Sequence, residues 1–526
     1  MKAATLRNYL SVHTWTGILA GMLLFVAFYA GALAMFTPEI SHWSRAEPAR
    51  AGASQDADAL LAAFFAAHPG QERATLVLAS EHNAAPYVRW GVRGQPPHLA
   101  ELDAARSTLR PLAATGEEAG RFVDYLHRKG GLPLPLEPSE PVIGIVSMLY
   151  ALALVSGVIA LLPSLVKDLF IVRFASGVKR RWLDLHNLLG IASLPFHVVM
   201  ALSAAVFCLH DWIYVAQDHL IYPQGLRAVE TRAQPARTPV PLERAAWRPP
   251  TQLIADAARS APGFAATALD YRGLGTPRAA VYIAGSDDTR FKRRPREGFA
   301  VLDPATGALV ADGMVPGQGS GMARAVVTFF ALHFGSYGSE PVRVLYAVLG
   351  VMGALLFYTG NVLWIETRSK RLRGAQAGAV QQPRHVRWIA ALNLGVCVGC
   401  VAGLSLALVA ARWLATTTLA LDWVLHGVYY TTCAVCLAWA FARGAQRAAA
   451  GLLGAAALAT ALIPLTSAAA ALLGNPKPYT HGLGLVDALS AAGAALLTWM
   501  AWRAARRPAS ATAPPRPSVS FPTSST

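Results

Sequence analysis

Residues 7–18 read RNYLSVHTWTGI, and residues 180–191 read RRWLDLHNLLGI. Each stretch begins with an Arg-x-aromatic-Leu sequence, continues to a histidine and then a glycine four residues later, and opens a long apolar run. The matching histidines are His13 and His186, and the matching glycines are Gly17 and Gly190. Because the same helix entry occurs twice in one chain, the sequence predicts an internal duplication.

The features that follow each entry also recur in the same order. A Leu-His step precedes the second apolar run at His127 and the fourth at His333. Between the runs, residues 56–110 and 251–311 each show a helical pattern followed by alternating strands and a turn, which in the second copy reads Asp-Pro-Ala-Thr-Gly. Residues 1–165 and 166–366 are therefore predicted to be two copies of one unit, in which two membrane helices enclose a small α+β domain.

The composition predicts a membrane protein. Of 526 residues, 54% are hydrophobic and 14% are charged, whereas soluble proteins carry about 25% charged residues. Apolar runs of the length needed to span a bilayer, roughly 20 residues, lie near 15–36, 142–163, 187–209, 342–365, 388–411, 423–442, 448–473 and 484–502. We predict a polytopic α-helical protein with about eight transmembrane helices and two small α+β domains outside the bilayer.

The net charge of +16 is explained by topology. Bases cluster at 167–181, after the second apolar run, and at 368–387, after the fourth, whereas residues 38–140 hold 13 acids and 10 bases. Bases concentrated in short alternate loops indicate the cytoplasmic side. The chain is thus predicted to lie in the bacterial inner membrane, surrounded by lipid, with both termini cytoplasmic and no nucleic-acid partner.

These patterns divide the chain into seven predicted segments. They are transmembrane helix one (1–37), a periplasmic domain (38–140), helices two and three (141–210), a second periplasmic domain (211–322), helix four (323–366), a C-terminal block of four helices (367–507) and a tail (508–526). The tail is rich in Pro, Ser, Thr and Ala without apolar periodicity, and is predicted to be disordered.

A histidine inside a bilayer is costly and marks a functional site by default. Taken singly, each of these histidines also fits an interfacial side chain bonded to a carbonyl or headgroup. Taken together, His13 and His186 occupy equivalent places near one face, and His127 and His333 occupy equivalent places near the other. Two equal-depth pairs suit two bis-His haems, and a nearby glycine would let a flat macrocycle approach the backbone.

The partner of His333 has two candidates. His197 follows His186 by eleven residues, which on one continuous helix is about 16 Å and brings both side chains to one face. His197 therefore competes with His127. The alternatives are a polar loop residue for His127 and a buried, hydrogen-bonded side chain for His197. No Cys-x-x-Cys-His motif is present, so any haem is predicted to be non-covalent, b-type.

All five cysteines lie in apolar runs, and four of them form two Cys-x-x-Cys pairs. The pairs are Cys397 with Cys400 and Cys433 with Cys436. Four thiolates at similar depth could bind a metal ion or an iron–sulfur cluster. Alternatively, each is a small apolar side chain in a packed helix.

With these motifs, the sequence resembles the PepSY-associated transmembrane family, which includes iron-regulated inner-membrane proteins and ferrisiderophore reductases. The resemblance covers roughly residues 1–370, and His13, His186 and His333 carry it best. It implies PepSY-like outer domains, two haems b, and electrons delivered to a ferric siderophore in the periplasm. The chain would then be a ferric-chelate reductase, an oxidoreductase supplied by a cytoplasmic donor or a membrane quinol.

Two other functions stay open from the sequence. PepSY-like domains anchored by helices could bind peptides or modulate a protease, and eight spans also suit a siderophore or metal transporter. The near absence of acidic residues in the spans argues against transport. No nucleophile elbow, Walker loop or zinc-protease motif occurs, so no catalytic side chain is predicted beyond the haem ligands.

Overall fold

The structure of the protein is a computed structural model. It describes residues 3–44, 52–80, 84–91, 97–112, 118–164, 178–222, 247–274, 276, 279–287, 289–292, 294, 297–311, 315–319, 321–371, 380–414, 421–472 and 484–506. The predicted disordered tail at 508–526 lies outside these residues.

The first unit consists of five helices and four strands. They are α1 (Ala3–Ala34), α2 (Thr37–Ser44), α3 (Ala57–Ala67), β1 (Ala74–Val77), β2 (Tyr87–Trp90), β3 (His98–Leu102), β4 (Leu109–Leu112), α4 (Glu118–Lys129) and α5 (Leu136–Leu161). α3 begins where the sequence predicts, because the Asp56 carboxylate accepts a hydrogen bond from the Ala59 backbone N–H at 2.9 Å.

The second unit repeats this order. Its elements are α6 (Val178–Ala192), α7 (Leu194–Leu220), α8 (Pro250–Ser260), β5 (Ala265–Arg272), β6 (Ala280–Ser286), β7 (Gly298–Leu302), β8 (Leu309–Ala311), α9 (Gly321–Phe334) and α10 (Glu340–Thr367). The hairpin turns match in detail. Asp103 accepts from the backbone N–H groups of Arg106 and Ala105, which hold the pKa of this carboxyl below its usual value, and Asp303 accepts from Ala305 and Thr306 at 2.9 Å.

The eight strands form one sheet rather than two. Its order is β4-β3-β2-β1-β5-β6-β7-β8, and the seam between units is the antiparallel pairing of β1 with β5, where Leu76 faces Leu269. The two predicted outer domains are thus joined. Pairing β1 with β5 removes an exposed edge strand from each unit, and α3 and α8 pack on the sheet over one shared apolar core.

The third predicted span is divided into α6 and α7 by a turn at Ser193. Pro195 lies in the first turn of α7 and has no backbone N–H to continue the ladder of hydrogen bonds, which explains the break. His186 and His197 therefore lie on two helices rather than on the one continuous helix that the predicted shared face requires. In addition, α7 continues to Leu220, beyond the predicted end at residue 209.

The C-terminal block follows a short hairpin, β9 (Lys370–Arg371) with β10 (Val380–Gln381), and contains α11 (Arg384–Leu414), α12 (Leu421–Arg443), α13 (Ala445–Leu472) and α14 (Leu485–Ala505). It docks on the first two units through polar contacts: Asn361 donates to Asn393 at 2.8 Å, and Trp43 donates to Asp487 at 3.1 Å. Eight helices among the described residues are long and apolar enough to cross a membrane, which confirms the predicted number.

Candidate functional site

Four of the predicted histidines form two facing pairs. The ring centroids of His13, on α1, and His186, on α6, are 6.1 Å apart. Those of His127, on α4, and His333, on α9, are 6.3 Å apart. We call the first the far-side pair and the second the sheet-side pair, after their positions relative to the sheet. Each pair takes one histidine from each unit, as the duplication predicts.

The two far-side histidines are held by equivalent contacts. His13 Nδ1 lies 2.8 Å from the Ala153 carbonyl oxygen, and His186 Nδ1 lies 3.2 Å from that of Leu356. Each carbonyl is four residues before a glycine on the same helix. A Cβ on Gly157 would lie 2.8 Å from the His13 ring, and one on Gly360 would lie 3.1 Å from the His186 ring, so both positions require a residue without a side chain.

The sheet-side pair is held in a similar way. His127 Nδ1 lies 2.8 Å from the carbonyl oxygen of Ala27 on α1, and a Cβ on Gly31 would lie 2.8 Å from the His127 ring. His333 Nδ1 lies 2.6 Å from the Ser203 hydroxyl on α7. Ala27 follows His13 by fourteen residues on α1, so the two pairs are separated by about 21 Å along the helix.

These contacts leave one nitrogen of each ring for a ligand. A carbonyl oxygen only accepts, so Nδ1 of His13, His186 and His127 carries the proton and Nε2 keeps its lone pair. This is the usual arrangement of a metal-bound histidine. Two imidazoles that bind one metal ion from opposite sides, through bonds of about 2 Å, have ring centres roughly 6 Å apart. Both pairs therefore fit bis-His ligation of a haem iron.

His197 is not brought to His333. Its side chain is fully buried, its Nδ1 lies 2.5 Å from the Tyr150 hydroxyl, and its Nε2 has no hydrogen-bond partner among the described residues. Phe28 on α1 lies against it, with ring centroids 5.6 Å apart. His197 precedes Ser203, which contacts His333, by six residues on α7. A Cβ on Gly353 would lie 3.1 Å from the His197 ring, seven residues before Gly360, which contacts His186, so His197 lies between the levels of the two pairs. The sheet-side partner of His333 is His127.

The four paired cysteines do not assemble into a metal site. Among the described residues, no group of three or more His, Cys, Asp or Glu side chains is placed to hold a metal ion. Cys397, Cys400 and Cys436 are buried, and Gly399 allows α11 and α12 to approach closely, with a Cβ there 3.2 Å from Cys433 Cα. The four side chains thus pack as apolar residues at a helix interface.

The sheet-side pair opens into a large cavity between the helices and the sheet. Its volume is about 1950 Å³, and His127, His333 and Tyr150 lie in its wall. The wall formed by the outer sheet and its loops, which we call the roof, consists of Arg272, Tyr282, Ser286, Lys292, Arg294, Glu297 and Phe299. The histidine pair is therefore reached from the side of the sheet.

A family model described as the PepSY-associated TM region matches residues 10–367. The chain belongs to this family. The PepSY-associated match includes both units and ends at the last residue of α10, so α11–α14 lie beyond it. No curated protein matches the chain.

Sequence reasoning missed the glycines that contact the histidines. It selected Gly17 and Gly190 for close approach, yet a Cβ on Gly17 would meet nothing within 4 Å and one on Gly190 would meet only Leu356, at 3.5 Å. The glycines that contact the two far-side rings are Gly157, beside His13, and Gly360, beside His186. Their signal in the sequence is a Ser/Thr-Gly step that occurs in both units, as Ser156-Gly157 in α5 and Thr359-Gly360 in α10. The open space beside Gly17 suits the flat macrocycle predicted there.

Proposed function

We propose that this protein carries electrons across the bacterial inner membrane on two b-type haems and reduces an Fe(III) chelate, such as a ferric siderophore, in the periplasm. The observation that supports this most strongly is the presence of two facing histidine pairs, with ring centroids 6.1 and 6.3 Å apart. In every ring of these pairs, Nδ1 is engaged by an oxygen of a neighbouring helix. A bound haem supplies one-electron chemistry that no side chain provides.

The protein's own residues hold and orient the ligands. His13 and His186 would hold one haem, and His127 and His333 the other. The carbonyls of Ala153, Leu356 and Ala27 fix the rotation of three imidazole rings, and the Ser203 hydroxyl fixes the fourth. Such hydrogen bonds also raise the basicity of the ligating nitrogen.

The space between the pairs is filled by aromatic side chains. Phe28 contacts Phe357 with ring centroids 5.1 Å apart, and Tyr150 contacts Phe357 at 5.2 Å. His197 lies against the same group. This packing holds the two sites in fixed relation.

The direction of transfer follows from the charge pattern. The described bases at the start of α6 (179–181) and at the start of α11 (Arg384 and Arg387) lie at the end of the bundle opposite the sheet, and bases mark the cytoplasmic side. The far-side pair would then receive electrons from a cytoplasmic protein or a membrane quinol. The sheet-side pair would deliver them to a chelate in the cavity, and Fe(II), which binds oxygen donors more weakly than Fe(III), would be released.

Spectroscopy of the full-length protein tests this function. We expect protein purified after expression with added haem to show a Soret band and split α bands when reduced with dithionite under anaerobic conditions. Addition of ferrioxamine B or ferric citrate should reoxidise it, with Fe(II) trapped by ferrozine. A colourless protein would rule out the redox function and favour a peptide-binding role for the outer sheet.

A further prediction concerns the residue between the pairs. His197→Phe should leave two haems per chain, because His197 faces Tyr150 rather than His333. The pyridine haemochrome assay against protein concentration measures this, and Tyr150→Phe is the matched control for the lost hydrogen bond. If His197→Phe loses one haem while His127→Ala keeps both, then His197 is the ligand and the pairing proposed above is wrong.

A further inference from the structure

The roof of the cavity is basic, and it comes from the second unit alone. We propose that this cavity selects Fe(III) chelates that carry net negative charge, such as those that bind iron through carboxylates. This inference rests on the proposed function and names the class of chelate that the cavity takes. Among the residues that line the cavity, none belongs to strands β1–β4 of the first unit.

Two arginines of the roof lie on aromatic rings. The Arg272 guanidinium is 4.1 Å from the centroid of the Tyr282 ring, and the Arg294 guanidinium is 4.5 Å from that of Phe299. All four residues line the cavity. Stacking holds each planar guanidinium in one orientation. Arg272 already donates to Asp270, whereas the N–H groups of Arg294 are placed to meet a carboxylate in the bidentate geometry that arginine favours.

The wall opposite the roof is formed by the helices, and most of its charged side chains are neutralised by ion pairs. Around the whole cavity, the bases are Arg121, Arg128, Arg272, Lys292, Arg294 and Arg343, and the acids are Asp124, Glu140, Glu297 and Glu340. Arg128 pairs with Glu140 at 2.5 Å, and Arg343 pairs with Glu39 at 2.5 Å.

The roof, in contrast, keeps positive charge. Arg294 makes no ion pair with any residue that the structure describes, and Arg272 shares the single carboxylate of Asp270 with Arg73. Lys292 and the carboxylate of Glu297 also line this wall. The excess charge of the cavity therefore lies on its roof, where a negatively charged chelate would meet it.

The connection between the second and third strands differs between the two units. The connection between the paired residues Val88 and Ala100 is five residues shorter than that between Ile283 and Ala300. The longer connection contains RFKRRPR at 290–296, with five bases in seven residues, together with the acids Asp287, Asp288 and Glu297, whereas the shorter one has two bases, Arg89 and Arg93, and no acid. The duplicated domain has thus diverged where its second copy faces the cavity.

Reduction kinetics with chelates of opposite charge test the proposal. The probes are ferric citrate, which is anionic, and ferrioxamine B, which is cationic, reduced by the dithionite-reduced full-length protein. For the Arg272→Gln/Arg294→Gln double variant we expect KM for ferric citrate to rise about tenfold, the effect of losing one hydrogen bond to a charged group, with kcat unchanged. KM for ferrioxamine B should stay constant or fall.

Controls separate this effect from damage to the fold. Arg259→Gln removes an exposed arginine on α8 that does not line the cavity and should change neither KM. Arg294→Lys keeps the charge and should restore most of the affinity lost in Arg294→Gln. The Soret spectrum reports that each variant still holds its haems.

A binding measurement makes the inference independent of the redox function. Ga(III) citrate and Ga(III) desferrioxamine B carry the charges of their iron complexes but are not reduced, and calorimetry measures their affinities directly. Tighter binding of the citrate complex, weakened in the double variant, supports the proposal even if no chelate is reduced. Equal affinities for the two complexes, or equal losses for both in the double variant, would overturn it and leave the proposed function standing.

Discussion

His13→Ala and His333→Ala should each reduce the haem content of the purified protein from two per chain to one. Each substitution removes one of the two axial ligands of a single site, and the pairs are about 21 Å apart along α1, so the other site keeps both of its ligands. The double variant should contain almost none. The measurement is haem per chain, together with a redox titration that resolves one or two transitions.

The matched control is His210→Ala. His210 lies on α7 like Ser203, is half-exposed, and contacts Asp211 and the Phe207 carbonyl rather than another ring nitrogen. It should keep two haems. If both His13→Ala and His333→Ala kept two haems, the histidine pairs would not be the ligands. If either one alone lost both haems while circular dichroism stayed normal, the two sites would not be independent.

Gly157→Leu should empty the far-side site while sparing the sheet-side one. A Cβ at this position lies 2.8 Å from the His13 ring, and the rest of a leucine side chain would push the imidazole away from His186. Leucine is a good helix former, so α5 itself should persist. The expected result is one haem per chain, with a redox transition matching that of His13→Ala.

Gly454→Leu provides the comparison for this variant. Gly454 lies in α13, also within a membrane helix, and a Cβ there would meet nothing within 4 Å. It should bind two haems. Retention of two haems by Gly157→Leu as well would mean that His13 does not need the observed position to act as a ligand.

Much of the fold could be predicted because its signals are local. The eight spans are visible as apolar runs, and β1 and β2 are visible as short alternating stretches. The seam between β1 and β5 was not predictable, since Thr75 and Asp270 are 195 residues apart and no local pattern specifies which edges pair. The break before α7 has a local signal in Pro195. The apolar run continues across this proline, however, so the sequence predicts one unbroken helix.

The far-side histidines were predictable as a pair because they occupy equivalent positions of a repeat, beside the starts of the first and third apolar runs. The sheet-side pair was ambiguous because His127 lies outside the spans, near the end of α4. Its depth depends on the turn that follows, where Gly130 and Gly131 both have positive φ angles, 56° and 77°. Such a turn is accessible to glycine, and it lets α4 fold back so that His127 reaches Ala27.

The seam in the sheet also has a consequence for how the protein is made. When the first unit has been synthesised, one row of backbone groups on β1 is unpaired until β5 has been synthesised as well. Pairing across so long a stretch of chain is slow, and an open edge strand invites association with other chains. Completion of the sheet is therefore a single event shared by both halves of the chain.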